Sequence, residues 1–247
     1  MIKKKQQLNP YISVDCVIFG FDSDRLKVLL IEREDHSLNT ESTLALPGDL
    51  INNEENLNES ANRVLKELTG LKNIYLKQIG AFGDLNRISK KDDKAWLQTV
   101  RTNPEARVIT IAYYSLVKIS DSNPKASSFA TSAKWYNVEE IKALAFDHYD
   151  ILRAALSQLR NEIIHQPVGF NLMPKMFTLG QLQKMYEAIL NKKLDKRNFR
   201  RKILKLNILD ATQEKETGVS HKPAQYFVFN KKNYNSLADT GFNNFGF

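Results

Sequence analysis

From Leu46 to Leu71 the chain reads LPGDLINNEENLNESANRVLKELTGL, and no other stretch restricts the fold as much. Strand-like residues lead into Leu46-Pro47-Gly48, and a polar loop follows. Then Leu57, Ala61, Val64, Leu65 and Leu68 recur at the spacing that gathers side chains on one face of an α-helix. Gly70 comes next and ends the helical pattern. An amphipathic helix must bury its apolar face, and the segments on either side supply a sheet to receive it.

Those segments are rich in β-branched and aromatic residues. Tyr11 to Phe19 partly alternates apolar and polar side chains and reads as a strand, with Leu26 to Ile31 as its hairpin partner across Asp22-Ser23-Asp24. Ile74 to Phe82, Arg107 to Ile119 and Lys134 to Val138 read as further strands. Asp147 to Ile164 reads as a helix capped by Asp147, with Ile151, Leu152, Ala155, Leu156 and Leu159 on one face. The class is α+β. Between two strands lies Gly83 to Ala106, a polar segment carrying Lys90, Lys91, Asp92, Asp93 and Lys94. It exceeds the length of about 15 residues beyond which a loop is usually functional or disordered, and partial disorder is expected.

Pro167, Gly169 and Pro174 punctuate residues 166–175, yet Val168, Phe170, Leu172 and Met173 are too apolar for a free tether. The expected organisation is a first domain at 8–163, a packed linker at 164–176, a second domain at 177–235 and an unordered tail at 236–247. The longest apolar runs, Val14 to Phe21 and Val108 to Val117, fall short of the roughly 20 residues of a membrane-spanning helix. The basic start MIKKKQQLNPY has no apolar core and is not expected to be a secretory signal. Cys16 is the one cysteine, so no intrachain disulfide forms, and its strand-like setting suits a buried thiol. A reducing cytoplasm is the expected compartment, with no membrane partner.

Charge separates the two halves. Residues 166–235 hold 14 Lys and Arg against 5 Asp and Glu, a net of +9, while the rest of the chain holds 22 against 23 and completes the overall +8. A neutral part joined to a strongly basic part suggests that the second meets a polyanion; a solvated basic face is the other reading. Within the basic part, Thr178-Leu179-Gly180-Gln181 has the form of a capping box, followed by Leu182, Tyr186 and Ile189 on the same helical face as Leu179. After a turn at Asn191 to Leu194, Asp195 stands as an N-cap to KRNFRRKILKL. At about 100° per residue, Phe199, Ile203 and Leu206 point one way and Arg197, Arg201 and Lys205 the other. Ile208 to Thr212 and Ala224 to Phe229 then read as two strands joined by the polar segment 213–223.

Helix, turn, cationic helix and hairpin together resemble a winged helix-turn-helix. The resemblance implies that the second helix enters the DNA major groove while phosphate contacts set register. On that basis Arg197, Asn198 and Arg201 are candidate base contacts. Lys192, Lys193, Lys196, Arg200, Lys205, His221 and Lys222 are candidate phosphate contacts.

The stretch at 46–71 resembles the Nudix box, Gly-x5-Glu-x7-Arg-Glu-aliphatic-x-Glu-Glu-x-Gly-aliphatic. Anchored on Gly70-Leu71, Glu55, Arg63, Leu65, Glu67 and Gly70 match, while Asp49 stands at the opening Gly, Val64 replaces the Glu after Arg63 and Leu68 replaces the last Glu. Positions 64 and 68 are one helical turn apart, so two carboxylates there would present themselves together to a divalent cation bridging a diphosphate. Val and Leu cannot. Glu55, Arg63, Glu67 and Gly70 then remain as scaffold, and an Arg63–Glu67 salt bridge explains that pair without catalysis. The resemblance implies a Nudix-type α/β/α sandwich without metal, cofactor or hydrolase activity. The runner-up is an active hydrolase of ADP-ribose or a related nucleoside diphosphate, with Glu55, Glu67 and another carboxylate holding Mg²⁺.

A degenerate Nudix domain followed by a winged helix resembles the Nudix-related transcriptional regulators over nearly the whole chain. QPVGFNLMPKMFTLGQLQKMYEAIL and LDKRNFRRKIL resemble that family's junction and reading head, and GAFGDLNR with RVITIAYYSLV resembles its sensor core. Members sense an ADP-ribose-type nucleotide in one branch and a pentose such as arabinose in another, and they bind palindromic operators in double-stranded DNA as homodimers. The likeness is closer to the sugar-responsive branch. It implies that a small-molecule effector fills the old substrate cleft and shifts the angle between sensor domains, releasing DNA. Candidate effector contacts are Asp15, Arg33, Asp49, Glu67, Asp84, Arg87 and Arg107, although surface salt bridges explain them equally well. A third reading makes the C-terminal module a protein- or RNA-binding appendage.

Overall fold

The computed structural model describes residues 7–22, 24–33, 43–218, 220 and 222–240. Ser23 in the predicted hairpin turn, His221 in the predicted wing and residues 241–247 of the predicted tail lie outside them. The described residues fall into two compact units. The first holds Lys27–Leu156 with the chain before Phe21, and the second holds Phe21–Leu26 with the chain after Leu156.

In the first unit seven strands make one sheet: β1 (Leu8–Phe21), β2 (Leu26–Arg33), β3 (Leu44–Ala45), β4 (Gly48–Asn52), β5 (Lys77–Phe82), β6 (Ile109–Lys118) and β7 (Ala130–Asn137). The order is β3-β2-β1-β6-β5, with β4 also paired to β1 and β7 to β2. From Ser13 to Phe21 every residue of β1 is buried. A strand with one wet face would alternate, and this one does not because both faces of the sheet are covered. Val14, Cys16 and Ile18 face one way and join Leu29, Ile31 and Tyr113 in a core closed by Ala61, Val64, Leu65 and Leu68 of α1 (Leu57–Thr69). Asp15 faces the other way and meets His148, the first residue of the helix His148–His165.

Helix α1 is bounded by local chemistry. Asn56 and Glu59 form a reciprocal capping box at its start, and Gly70 ends it in left-handed backbone at φ 72°. Gly48 is required for a different reason. It lies opposite Asp15 in the β1–β4 register, and a Cβ there would collide with the Asp15 carboxylate.

The segment expected to be partly disordered contains α2 (Lys91–Val100), and the next helix in chain order, His148–His165, is α3. Its charge run reads as a solvated loop, but Asp93 is 2% exposed and Leu97 is fully buried. The Asp93 carboxylate binds Arg33 at 3.0 Å and accepts the Phe146 N–H at 2.7 Å, and Lys90 Nζ donates to the Leu144 carbonyl at 3.0 Å. These partners lie far away in sequence, so no local pattern announces them. Asp147, expected to cap α3 with its side chain, commits both carboxylate oxygens to Arg87 instead.

In the second unit β8 (Phe177–Thr178), β9 (Leu209–Lys215) and β10 (Gln225–Phe229) form a small sheet in the order β8-β10-β9. Thr178 and Gln181 form the anticipated capping box of α4 (Leu179–Leu190). Asp195 accepts the Asn198 N–H to cap α5 (Lys196–Lys205). Between the helices Glu187 holds the turn, accepting from the Leu194 N–H at 2.9 Å, from Gln183 at 3.0 Å and from Lys193 at 3.2 Å. The linker packs within this unit, with Phe170 stacked on Phe229 at 4.7 Å between ring centroids. Residues 236–240, expected to open an unordered tail, instead continue α6 (Lys231–Thr240), which Asn230 starts by accepting the Asn233 N–H. The Phe229–Tyr234 ring contact fastens that helix. Among the described residues no helix is long and apolar enough to cross a membrane.

Candidate functional site

The Nudix-like helix turns its apolar face into the core. Val64 and Leu68 are 0% and 2% exposed and belong to the core cluster, so the two positions where the box carries glutamates are sealed in hydrocarbon. Arg63 gathers the surviving carboxylates. Its Nε lies 2.9 and 2.8 Å from the two Glu55 oxygens, its Nη1 3.1 Å from Glu67, and its Nη2 donates to the Leu50 carbonyl at 3.1 Å. Ser60 donates to Glu55 as well. These bonds raise the Arg63 pKa against the opposing effect of burial. Divalent-cation chemistry needs several oxygen ligands converging on one point. Here the donor set is two carboxylates clamped by one guanidinium, which does not fit the metal that the box implies.

A cavity of about 190 Å³ lies instead on the wall formed by β1, β2, β4, the Arg87 turn and the α2 segment, and takes no side chain from α1. Of the anticipated effector contacts, Asp15, Arg33, Asp49 and Arg87 line it. Glu67 is held by Arg63. Asp84 caps the turn that delivers Arg87 by accepting the Asn86 N–H, and the exposed Arg107 donates to the Gly83 carbonyl at 3.0 Å, so neither reaches the cavity. Trp96, Arg101, Asn103, Phe129, Phe146 and His148 line the cavity and were not anticipated. Three of them sit in the segment read as a loop, where the sequence carries no periodic signal.

A buried polar network forms the floor. Arg87 binds Asp147 through Nε at 3.0 Å and Nη2 at 2.9 Å, donates Nη1 to the Val108 carbonyl, and stands 3.6 Å from Asp15. His148 Nδ1 lies 3.0 Å from the Leu46 backbone nitrogen, and Nε2 is directed at Asp15 at 3.3 Å. Burial alone would raise the Asp15 carboxyl, but His148 and Arg87 outweigh it and hold the group at about 2. Burial pushes Asp49 above the ordinary carboxylate range against the pull of its own Leu50 N–H bond. Burial also pushes up the pKa of the Cys16 thiol, an inert core group. Arg33 is buried with Asp93, its guanidinium 4.7 Å from the Trp96 ring and 4.9 Å from Phe146.

In the second unit Phe199 and Ile203 are buried while Arg197, Arg201 and Lys205 are exposed, and Leu206 is half-buried. Lys192, Lys196, Asn198 and Lys222 are exposed too. Arg200 is half-buried rather than fully presented, and Lys193 pairs with Glu187 although its own side chain is 93% exposed. Arg201 donates to Asn198 at 3.0 Å, which holds two of the anticipated base contacts together one turn apart.

The NUDIX domain profile matches residues 10–155, and the NrtR DNA-binding winged helix domain profile matches residues 169–229. The chain is 30% identical over 236 residues, 94% of its own length and 87% of the relative's, to the ADPR responsive transcriptional repressor NtrR of Acinetobacter baylyi. It is 26% identical over 151 residues, 61% of the chain and 76% of the relative, to the ADP-ribose pyrophosphatase of Methanocaldococcus jannaschii. The crystal structure of Shewanella oneidensis NrtR complexed with a 27mer DNA shares the fold at a TM-score of 0.68 and 24% identity, over 91% of this chain and 95% of that one. The anticipated closeness to sugar-responsive regulators finds no support in these matches. With a Nudix unit, a winged helix of the NrtR kind and a relative alike across almost its whole length, the chain belongs to the NrtR family of Nudix-domain proteins.

Proposed function

We propose that the chain is a DNA-binding transcriptional regulator that takes ADP-ribose, or a nucleotide of that kind, into its Nudix cavity as an effector and does not hydrolyse it. The observation that carries this reading is the burial of Val64 and Leu68 in the core, together with a polar cavity whose lining includes no residue of α1. Such a pocket holds a ligand without the metal that would consume it. The exposed cationic face of α5 supports DNA as the partner, and the relative named as an ADPR responsive repressor supports both the effector and repression rather than activation. Binding as a homodimer to a palindromic operator is part of the proposal. A pentose effector has no comparable support.

The experiment is retardation of a promoter fragment by the full chain, challenged separately with ADP-ribose and L-arabinose. ADP-ribose releases the DNA, arabinose does not, and Arg197→Ala with Arg201→Ala abolishes retardation because each base-reading pair contributes about 1–3 kcal/mol. Unchanged binding by that double variant refutes the reading head. The likeness to an ADP-ribose pyrophosphatase keeps one rival reading, an active hydrolase. Hydrolysis of the diphosphate linkage of ADP-ribose, giving AMP and ribose 5-phosphate, that disappears in Glu67→Gln would establish that rival.

A further inference from the structure

Three arginines line the cavity, and two are committed. Arg87 is bound to Asp147 and the Val108 carbonyl, and Arg33 to Asp93 between two aromatic rings. Arg101 differs. It ends α2, its side chain faces the cavity, and among the described residues no carboxylate lies within ion-pair distance of it. Thr102 and Asn103, the next two residues, continue the same wall and add neutral hydrogen-bonding groups. Asp49 also lines the cavity, and one of its oxygens accepts the Leu50 N–H at 2.7 Å.

We infer that Arg101 is the residue that binds the phosphate oxygens of the effector, and that the α2 segment thereby selects phosphorylated ligands over neutral sugars. The inference rests on the effector reading above and names the group that enforces it. A guanidinium grips phosphate by two parallel charge-assisted bonds, which requires its fork to be free of other anions. Arg101 is the cavity arginine that meets this requirement. Its surroundings point the same way, since burial draws its pKa below the ordinary guanidinium value and Asp49 and Asp15 only partly compensate. An arriving anion supplies what is missing. The carboxylate of Asp49 complements the ribose hydroxyls that accompany such a phosphate.

The test is calorimetric titration of the full chain with ADP-ribose, inorganic pyrophosphate and D-ribose, in wild type, Arg101→Gln and Arg101→Lys. Arg101→Gln weakens ADP-ribose and pyrophosphate on the order of 10- to 100-fold, leaves D-ribose unchanged and leaves the melting temperature at or above wild type. Arg101→Lys, with charge but no fork, is intermediate. Equal ADP-ribose binding by wild type and Arg101→Gln overturns the inference and leaves the effector reading standing. Pyrophosphate binding that depends on Arg101 without ADP-ribose binding does the reverse. No binding of either anion to wild type overturns both.

Discussion

Asp15 is a carboxylate kept ionised in a place where burial opposes charge, with His148 and Arg87 as the groups that prevail. The unfolded chain holds the Asp15 proton more tightly than the folded chain. The group therefore stabilises the fold fully above pH 4, and that contribution is lost as pH falls through about 2. At roughly 1.4 kcal/mol per pKa unit, Asp15→Asn is expected to lose about 2–3 kcal/mol at pH 7, and the gap to wild type narrows between pH 4 and pH 2. Urea unfolding at pH 7 and pH 3 checks this, and equal stabilities at pH 7 would sink it. Asp49, pushed the opposite way by burial, works against the trend. Asp15 and Arg87 were legible as polar residues beside strands, whereas Arg101 was not, because nothing local distinguishes it from the solvated charges of its segment.

Elements defined by their own ends were the easiest to anticipate. The Thr178–Gln181 box and the Asp195 cap act within three residues, so α4 and α5 could be read almost to the residue. Helix α2 could not, since Asp93 is buried against partners far away in sequence, Arg33 and the Phe146 N–H. Removing one partner of a buried pair costs about 3–5 kcal/mol, so Asp93→Ala should destabilise the first unit by that order and Asp93→Asn by less. Chemical denaturation measures the loss. A cost below about 1 kcal/mol would mean that Arg33 keeps its place without Asp93. The α1 stripe was also legible: Val64 and Leu68 were read both as members of an apolar face and as the places of two missing glutamates, and they are core.

For the whole molecule the division of charge has a measurable consequence. The excess of +9 at residues 166–235 lies partly on exposed α5 side chains, and DNA binding that releases counterions weakens with salt in proportion to the phosphates contacted. Lys205→Ala is expected to lower the slope of log affinity against log salt by about 1 per copy without altering sequence preference. An unchanged slope would remove Lys205 from the phosphate contacts. The burial of Val64 and Leu68 bears on the molecule's stability as well as its chemistry. A carboxylate returned to either position alone is a lone charge in the core, at a cost of several kcal/mol against a total stability of about 5–15 kcal/mol. Either glutamate of the box, added alone, is expected to give a chain that folds poorly. The departure from the box is locked in by packing: once the core has closed over that face, neither glutamate can be added by itself without a loss of stability.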